Sequence, residues 1–259
     1  MLGTEPLVSI AVASYNNEKY ILETLESIND QTYNSIELII IDDCSKDNSR
    51  EIIKNWLPLS KFPTKVIFNE ENVGVTKVCN IILNACDKNS QFLCLIGSDD
   101  LFFNDRVARQ VEVLKGSAEN VAATFGDAEI INDKGETKIN SHFKMMGRDI
   151  GYHQSLFSNT NYTVILQELI YLNRIPAVTV MYKISILKSL GGWDESLFVE
   201  DLYMNLKIIK NQYFFVPTSD LVSKYRMHSN SITSLMKIDY LESVLRIVSK
   251  YKGITKGID

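Results

Sequence analysis

The sequence lacks the features of several large classes of protein. Its 259 residues include only five prolines, and no internal repeat or low-complexity segment separates independent domains. No apolar run is long enough to span a bilayer as a helix. With 45% hydrophobic and 23% charged residues, the composition is that of a globular chain, which we expect to form a single domain over residues 1–259.

Clustered positive charge is also missing. Lysine and arginine total 27 against 32 acidic residues, which gives a formal net charge of -5. A protein that binds nucleic acid needs a clustered basic surface to neutralise phosphates. The charge therefore argues against a nucleic-acid partner and favours, at most, a small nucleotide.

The sequence has few cysteines, and their spacing matches neither a disulfide framework nor a metal-binding motif. Cys44, Cys79, Cys86 and Cys94 form no CxxC pair and lie inside apolar runs, which predicts reduced core residues rather than a disulfide framework or a zinc site.

Two segments of the sequence bear on the expected cellular location. The first residues, MLGTEPLVSIAV, lack the basic region and cleavage site of a signal peptide, so we expect a cytoplasmic protein. The basic segment Tyr240–Lys256 leaves room for a peripheral contact with the inner membrane, although its pattern favours an amphipathic packing helix.

The first half alternates between short apolar runs and helical patterns. Runs without a polar face predict strands of a covered, mostly parallel sheet at Leu7–Ala13, Glu37–Ile41, Lys65–Phe68 and Phe92–Ile96. The clearest helix follows Asn72, with apolar residues at helical spacing from Val75 to Cys86. Asn17, Asp47 and Asn104 are the predicted caps of three further helices. The pattern predicts a doubly wound α/β sheet.

The second half is less regular. Val121–Phe125 predicts a strand, residues 132–135 a turn between two short strands, and Val178–Tyr182 a strand leading into a helix closed by Gly191 and Gly192. Residues 140–175 have no clear period, which is typical of a mobile, substrate-facing segment.

Pairs of carboxylates follow two of the predicted strands. Asp42-Asp43 ends the second and Asp99-Asp100 the fourth, so both pairs should lie at the ligand-binding edge of the sheet. The alternative is that each pair caps a helix, but one cap needs only one Asp. Carboxylates in such a place suit Mg²⁺ or Mn²⁺ bound to phosphates, and Gly97 and Ser98 leave room for them.

A second function fits Asp43. Because a carboxylate only accepts hydrogen bonds, Asp43 at a base edge would prefer uracil, whose N3-H donates, over cytosine; guanine also donates, so GDP stays open. Ser14, Tyr15 and Asn16 could add stacking and hydrogen bonds to the same base, although a simple turn closed by Asn16 explains that stretch equally well.

The order of these motifs resembles a known family. The run from Val8 to Ser49, the block ENVGVTKVCNIILNACD, FLCLIGSDDLF, GGWDESLFVEDLYMNLKI and YRMHSNSIT together are similar to family 2 of the inverting glycosyltransferases, which have the GT-A fold. The resemblance extends from about Val8 to Thr233. It implies a nucleotide-binding half at about 7–125, an acceptor-binding half at about 126–235, and a C-terminal helix or tail at 236–259.

The resemblance also implies roles for particular residues. Asp43 would hold the base, one of Asp99 and Asp100 the ribose, and the other the metal on the diphosphate, with Asp100 favoured for the metal. Gly97 stands where many members have a further acid, which leaves the division between Asp99 and Asp100 open. The further residues implied at the nucleotide are Ala13, Tyr15, Asn72, Gly74, Lys77 and Ser98.

Glu200-Asp201 matches the acidic pair of the family, whose second member is the usual general base. Inversion by direct displacement needs such a base opposite the leaving diphosphate. The residue-level alternative is a favourable charge in the first turn of a helix.

The few histidines and one arginine complete the candidates. The place of His228 in the last block makes it a candidate metal or diphosphate contact, and Arg226 a candidate phosphate partner. His142 and His153 are interpreted as solvated.

The expected activity is metal-dependent, inverting transfer of a sugar, with UDP-sugar as the first choice of donor, to a saccharide or lipid-linked saccharide in bacterial cell-surface polysaccharide synthesis. An inactive nucleotide- or carbohydrate-binding module on the same fold is the main alternative. A sugar-nucleotide pyrophosphorylase needs a Gly-rich loop that residues 11–16 lack, and a dinucleotide dehydrogenase needs a G-x-G-x-x-G motif that is absent.

Overall fold

The computed structural model describes residues 5–159, 161–229, 231 and 237–251. The strands are β1 Leu7–Ser14, β2 Ile36–Asp42, β3 Thr64–Phe68, β4 Ser90–Gly97, β5 Leu101–Phe102, β6 Val121–Ile131, β7 Thr137–Ile139, β8 Met181–Lys183 and β9 Phe214–Arg226. The helices are α1 Ile21–Asn29, α2 Ser49–Trp56, α3 Val75–Ala85, α4 Arg106–Lys115, α5 His142–Met145, α6 Ile150–Phe157, α7 Tyr162–Tyr171, α8 Ile184–Ser189, α9 Glu200–Lys210 and α10 Lys237–Lys250.

One sheet runs through both halves of the described chain, in the order β3-β2-β1-β4-β8-β6-β9-β5, with β7 paired to β6. Strands β1 to β4 are mutually parallel, as the unbroken apolar runs predict. Strand β8 is antiparallel to both β4 and β6, and it joins the parallel half to a mixed half. The predicted α/β fold with a smaller mixed C-terminal part is confirmed.

The sheet separates two apolar cores. Alternate residues of each strand point to opposite faces. Ile40 lies in the core that contains residues of α1, α2 and α4, whereas Ile39 lies in the core that contains residues of α3 and of α5 to α10. Both isoleucines are fully buried, as strands covered on both faces require.

Two predicted helix caps are wrong. The side chain of Asn17 donates to Ser98 Oγ at 2.8 Å, and only its carbonyl accepts from the start of α1. Helix α4 has no side-chain cap, although Asn104 precedes it. Asp47 does bond the first turn of α2, since its carboxylate accepts from Ser49 N at 3.0 Å.

Two strand boundaries also differ from the prediction. Strand β6 continues past Phe125 to Ile131 because it pairs with β9 along its whole length. The stretch predicted as one strand at Val178–Tyr182 begins as a 3₁₀ turn, Ala177–Thr179, before β8.

The segment 140–175 contains three helices, α5, α6 and α7, joined by short loops. The interpretation of its histidines as solvated is wrong for His153. His153 is 1% exposed and stacks on Phe143 with ring centroids 4.1 Å apart, while His142 is partly buried. Burial lowers the pKa of both imidazoles, which favours their neutral forms.

All four cysteines are buried and free, as predicted. Among the helices of the described ranges, we find none with both the length and the apolar character needed to cross a membrane.

Candidate active site

The site begins where three parallel strands end. Register pairs Ala13 of β1 with Gly97 of β4, and Ser14 with the last residue of β2. Asp43 N donates to Ser14 O at 2.8 Å, and Ser98 N donates to Ala13 O at 3.1 Å. The chain beyond β2 and the chain beyond β4 therefore leave the sheet on either side of β1, which brings the two predicted carboxylate pairs to one edge.

Asp43 organises the loop that leads into α3. One carboxylate oxygen accepts from Asn69 Nδ2 at 2.8 Å and from Val73 N at 2.9 Å, and the other accepts from Gly74 N at 2.9 Å. A carboxylate has about four lone-pair sites, so these three bonds leave about one for a ligand. The structure thus gives Asp43 a positioning task that its sequence context does not reveal.

The other predicted nucleotide residues surround this loop. Gly74 adopts φ +85° as it enters α3, a conformation that favours glycine, and no atom lies within 4 Å of a Cβ built there. Asn72 and Lys77 are exposed, and Tyr15 is 37% exposed at the end of β1.

Ser14 belongs to the stretch that the sequence proposes for the base. Its Oγ is buried and has no hydrogen-bond partner in the part of the chain that the structure describes. Buried polar atoms are normally hydrogen-bonded, so this hydroxyl fits the expectation of a polar contact at the strand ends.

Asp99 and Asp100 differ in their burial and in their hydrogen-bond partners. Asp100 is buried, and one of its oxygens accepts from Arg226 N at 2.8 Å. Burial and, secondarily, the neighbouring Asp99 raise the pKa of the Asp100 carboxyl well above its usual value. Asp99 is more exposed, and its Oδ2 lies 3.0 Å from His228 Nε2.

Arg226 forms hydrogen bonds inside the protein that hold this pair in place. Its guanidinium is fully buried, donates to Asp99 O at 2.7 Å and to Glu23 Oε2 at 2.6 Å, and lies 4.7 Å from the centre of the Tyr20 ring. These contacts use the guanidinium inside the protein, so the expectation that Arg226 pairs with phosphate is wrong.

His228 contacts Asp99, whereas Asp100 accepts a hydrogen bond from the backbone N–H of Arg226. No group of three or more His, Cys, Asp or Glu side chains suited to a metal occurs among the described residues. Mg²⁺, however, is usually held by one or two carboxylates plus substrate phosphate oxygens, so this small donor set fits a metal that arrives with a diphosphate. The assignment of the metal to Asp100 stays a prediction. The block that contains His228 extends to Thr233, and Asn230, Ile232 and Thr233 lie outside the described residues.

Asp201 lies in the first turn of α9, held from two sides. Its Oδ2 accepts from Asn173 Nδ2 at 2.6 Å, and its Oδ1 accepts from Leu202 N at 2.7 Å. Asn205 Nδ2 in turn donates to Asn173 Oδ1 at 3.1 Å, which fixes the amide so that its NH₂ faces the carboxylate. No sequence signal points to Asn173, because its contact with Asp201 joins segments 28 residues apart.

Both carboxyl groups of the Glu200-Asp201 pair are partly buried. Burial raises the pKa of Asp201, and burial together with the charge of Asp201 raises the pKa of Glu200 to about 8. The same two carboxylates raise the pKa values of Tyr182 and Tyr240 beyond the effect of burial alone, which places a β8 and an α10 side chain near them.

Helix α3 links the two groups of carboxylates. It begins at the Gly74 amide that Asp43 holds, and two residues later Thr76 Oγ1 donates to Leu197 O, in the loop before α9. Asn80 Nδ2 donates to Trp193 O at 3.0 Å, in the same loop.

Helix α10 supports the loop from the other side. Ser243 Oγ accepts from Phe198 N at 2.8 Å and from Val199 N at 3.1 Å. A serine within the apolar face of this helix was the sequence signal that could have revealed the contact.

The profile of Glycosyl transferase family 2 matches residues 9–170, and the chain belongs to this family. The predicted resemblance is confirmed, although the matched range ends before Asp201. The putative teichuronic acid biosynthesis glycosyltransferase TuaG of Bacillus subtilis is 32% identical over 114 residues, which cover 44% of this chain and 44% of that relative. The Escherichia coli UDP-Glc:alpha-D-GlcNAc-diphosphoundecaprenol beta-1,3-glucosyltransferase WfgD is 27% identical over 229 residues, which cover 88% of this chain and 80% of WfgD.

Two solved structures support the fold. S. aureus TarS 1-349 in complex with UDP-GlcNAc superposes with a TM-score of 0.69 at 22% identity, over 94% of this chain and 66% of that one. The mannosyltransferase PcManGT from Pyrobaculum calidifontis, in complex with GDP-Man and Mn²⁺, gives a TM-score of 0.70 at 18% identity, over 95% and 64% of the two chains. The predicted GT-A fold is confirmed.

The raised pKa of Glu200 predicts a pH-dependent stability. Its folded pKa of about 8 exceeds the usual 4.5, so its contribution is fully present below about pH 4.5 and is lost as pH rises through 8. We expect Glu200→Gln to gain melting temperature relative to wild type between pH 5 and pH 8.5. Glu112→Gln, at an exposed site on α4, is the control and should show no such trend. A constant difference between Glu200→Gln and wild type at all pH values would contradict the burial of this carboxyl.

Proposed function

We propose that this chain is a metal-dependent inverting glycosyltransferase that moves a sugar from a UDP-sugar to an acceptor hydroxyl in bacterial polysaccharide synthesis. The observation that carries the proposal is the pair of carboxylate groups joined through α3. One lies at the ends of β2 and β4, where doubly wound sheets bind nucleotides, and the other is the partly buried pair at the start of α9.

The donor side is assigned to the loop and strand ends around Asp43. Its remaining acceptor site suits the N3-H of uracil, and the exposed Tyr15 ring suits stacking on the base. The other residues proposed at the nucleotide are Ala13, Asn72, Gly74, Lys77, Ser98 and Asp99. TarS is crystallised with UDP-GlcNAc and the name of WfgD states UDP-Glc, which favours uridine, whereas the GDP-Man of PcManGT keeps guanosine as the second choice.

Asp99, Asp100 and His228 would hold Mn²⁺ or Mg²⁺ beside the donor diphosphate. Carboxylate oxygens and an imidazole 3.0 Å from Asp99 match the ligands that these ions take, and PcManGT was solved with Mn²⁺. When bound, such a cation neutralises negative charge on the leaving diphosphate. Arg226 and Glu23 keep the two aspartates in place.

Asp201 is the proposed general base. The pKa of Glu200 is raised to about 8, so we assign the negative charge of the pair near neutrality to Asp201. Asn173 and Leu202 N orient the carboxylate, so one defined oxygen lone pair can take the proton of the acceptor hydroxyl as that hydroxyl attacks. The raised pKa of Asp201 strengthens it as a base.

The acceptor is proposed to be a saccharide carried on a lipid diphosphate, as the name of WfgD states for that relative. We therefore place the chain in the cytoplasm, at the surface of the inner membrane. Helix α10 exposes Ile238, Leu241 and Leu245 on one side, at the spacing of a face that could lie against lipid.

Metal dependence of nucleotide binding tests the donor side. We expect calorimetry to give tighter UDP binding with Mn²⁺ than with EDTA. Asp99→Asn and Asp100→Asn should each weaken the metal-supported binding about 10- to 100-fold, the scale of a lost charge-assisted contact. Asp30→Asn, at a surface site, should bind as wild type does. Equal affinity with EDTA and with Mn²⁺ would refute the metal site.

Removal of the base tests the chemistry. Asp201→Asn keeps the shape of the side chain but removes the proton acceptor, so the rate of sugar transfer should fall about 10²- to 10⁴-fold. Affinity for UDP should change little, because the base faces the acceptor. Asp105→Asn, an acid at the start of α4, is the matched control and should retain the wild-type rate. If Asp201→Asn transfers sugar at nearly the wild-type rate, the base is another group, and an inactive wild type would favour a binding module.

A further inference from the structure

The turn between α5 and α6 borders an open depression of the surface. An open cleft of about 570 Å³ is lined by Lys144, Gly147, Arg148, Asp149 and Tyr152. We propose that this cleft binds an anionic group of the acceptor, either a phosphate or a carboxylate attached to the sugar that receives the transfer. The proposal rests on the proposed function, because it assumes that the chain has a saccharide acceptor.

The charge of the cleft favours an anion. Lys144 and Arg148 are exposed, and neither forms an ion pair with a carboxylate in the ranges that the structure covers. Asp149 uses one oxygen to accept from Tyr152 N and so caps α6. Two cations with one engaged carboxylate leave local positive charge in a chain whose formal net charge is -5.

The nearby acid is also engaged. Glu168 Oε2 accepts from Tyr152 Oη at 2.5 Å and pairs with Arg174 Nε at 3.4 Å. The two histidines of this segment do not alter the balance, because burial lowers their pKa values and favours the neutral forms. The positive charge that solvent and ligands meet is therefore that of Lys144 and Arg148.

The geometry suits recognition of oxygen atoms. The Arg148 guanidinium lies 4.7 Å from the centre of the Tyr152 ring, a contact that orients its planar fork. Such a fork can donate two parallel hydrogen bonds to one phosphate or carboxylate, while Lys144 supplies a compact charge. Gly147, at φ +70°, has no atom within 4 Å of a Cβ built there, so a ligand can approach the backbone between the two cations.

The cleft is connected to the proposed base through two consecutive residues. Arg174 Nη1 lies 3.4 Å from the carbonyl oxygen of Met146, at the edge of the cleft. Asn173, the preceding residue, donates to Asp201 at 2.6 Å. These contacts join the cleft and Asp201 through one short segment, and we infer that one acceptor extends from one to the other. The chemical class expected is a glycosyl phosphate or diphosphate, or a uronic acid glycoside.

Binding can be tested without turnover, by ligand-observed NMR on the whole chain saturated with UDP and Mn²⁺. The three probes are glucose 1-phosphate, methyl glucuronide and the neutral methyl glucoside. We expect at least one anionic probe to bind more tightly than methyl glucoside, and the preferred one identifies phosphate or carboxylate as the natural group. The Lys144→Gln/Arg148→Gln double variant should weaken that binding about 10-fold or more.

Two controls separate the possible results. Lys138→Gln removes an exposed cation on β7 and should leave binding unchanged. Binding of the anionic probe to wild type should also weaken with added salt, a readout that does not depend on how the double variant folds. Equal binding of all three probes, or unchanged anion binding in a folded double variant, would overturn the proposal. Because sugar transfer is not measured, a failure here leaves Asp201 untouched, and a failure of Asp201→Asn to slow transfer leaves the cleft untouched.

Discussion

The burial of adjacent carboxylates is the constraint around which this molecule is arranged. Two like charges in a poorly solvated place repel each other, so each must be protonated or surrounded by donors. Asp100 meets the backbone of Arg226, and Asp99 meets His228. At the other acid pair, Asn173 donates to Asp201, while the pKa of Glu200 is raised to about 8. Arg226 and His228 come from β9 and the loop after it, so the mixed half of the sheet stabilises Asp99 and Asp100 of the parallel half. Asn173 follows α7 and stabilises Asp201 within the second half of the chain.

The same contacts give the site its rigidity. Asp43 fixes the amide at which α3 starts, and Thr76 and Asn80 of α3 fix the loop that leads to α9. Ser243 of α10 holds that loop from the opposite side. A carboxylate can act as a base only when it is held in one orientation, which is the condition that the proposal for Asp201 must meet. The two groups of carboxylates, around Asp43 and around Asp201, are positioned relative to each other through α3.

The sequence predicts the parallel half well because its signals are local. Unbroken apolar runs identify β1 to β4, the period from Val75 identifies α3, and strand ends locate the acids. Features that depend on distant partners were not predictable. The Asn17 side chain bonds Ser98 instead of capping α1, and Arg226 turns inward to Glu23, 203 residues away in sequence. Residues 140–175 form short helices whose few turns carry too little period to recognise, and their histidines are buried by packing that no local pattern encodes.

If Asp201 is the base, the sugar is transferred by a single displacement, in which the acceptor attacks opposite the leaving diphosphate. The anomeric configuration of the product tests that claim most directly. We would supply an α-linked UDP-sugar that supports transfer, isolate the product, and read the new linkage from its proton NMR coupling. The account predicts a β linkage, because one displacement inverts the reacting carbon. An α linkage would require two displacements or a different mechanism, and it would contradict the role given to Asp201.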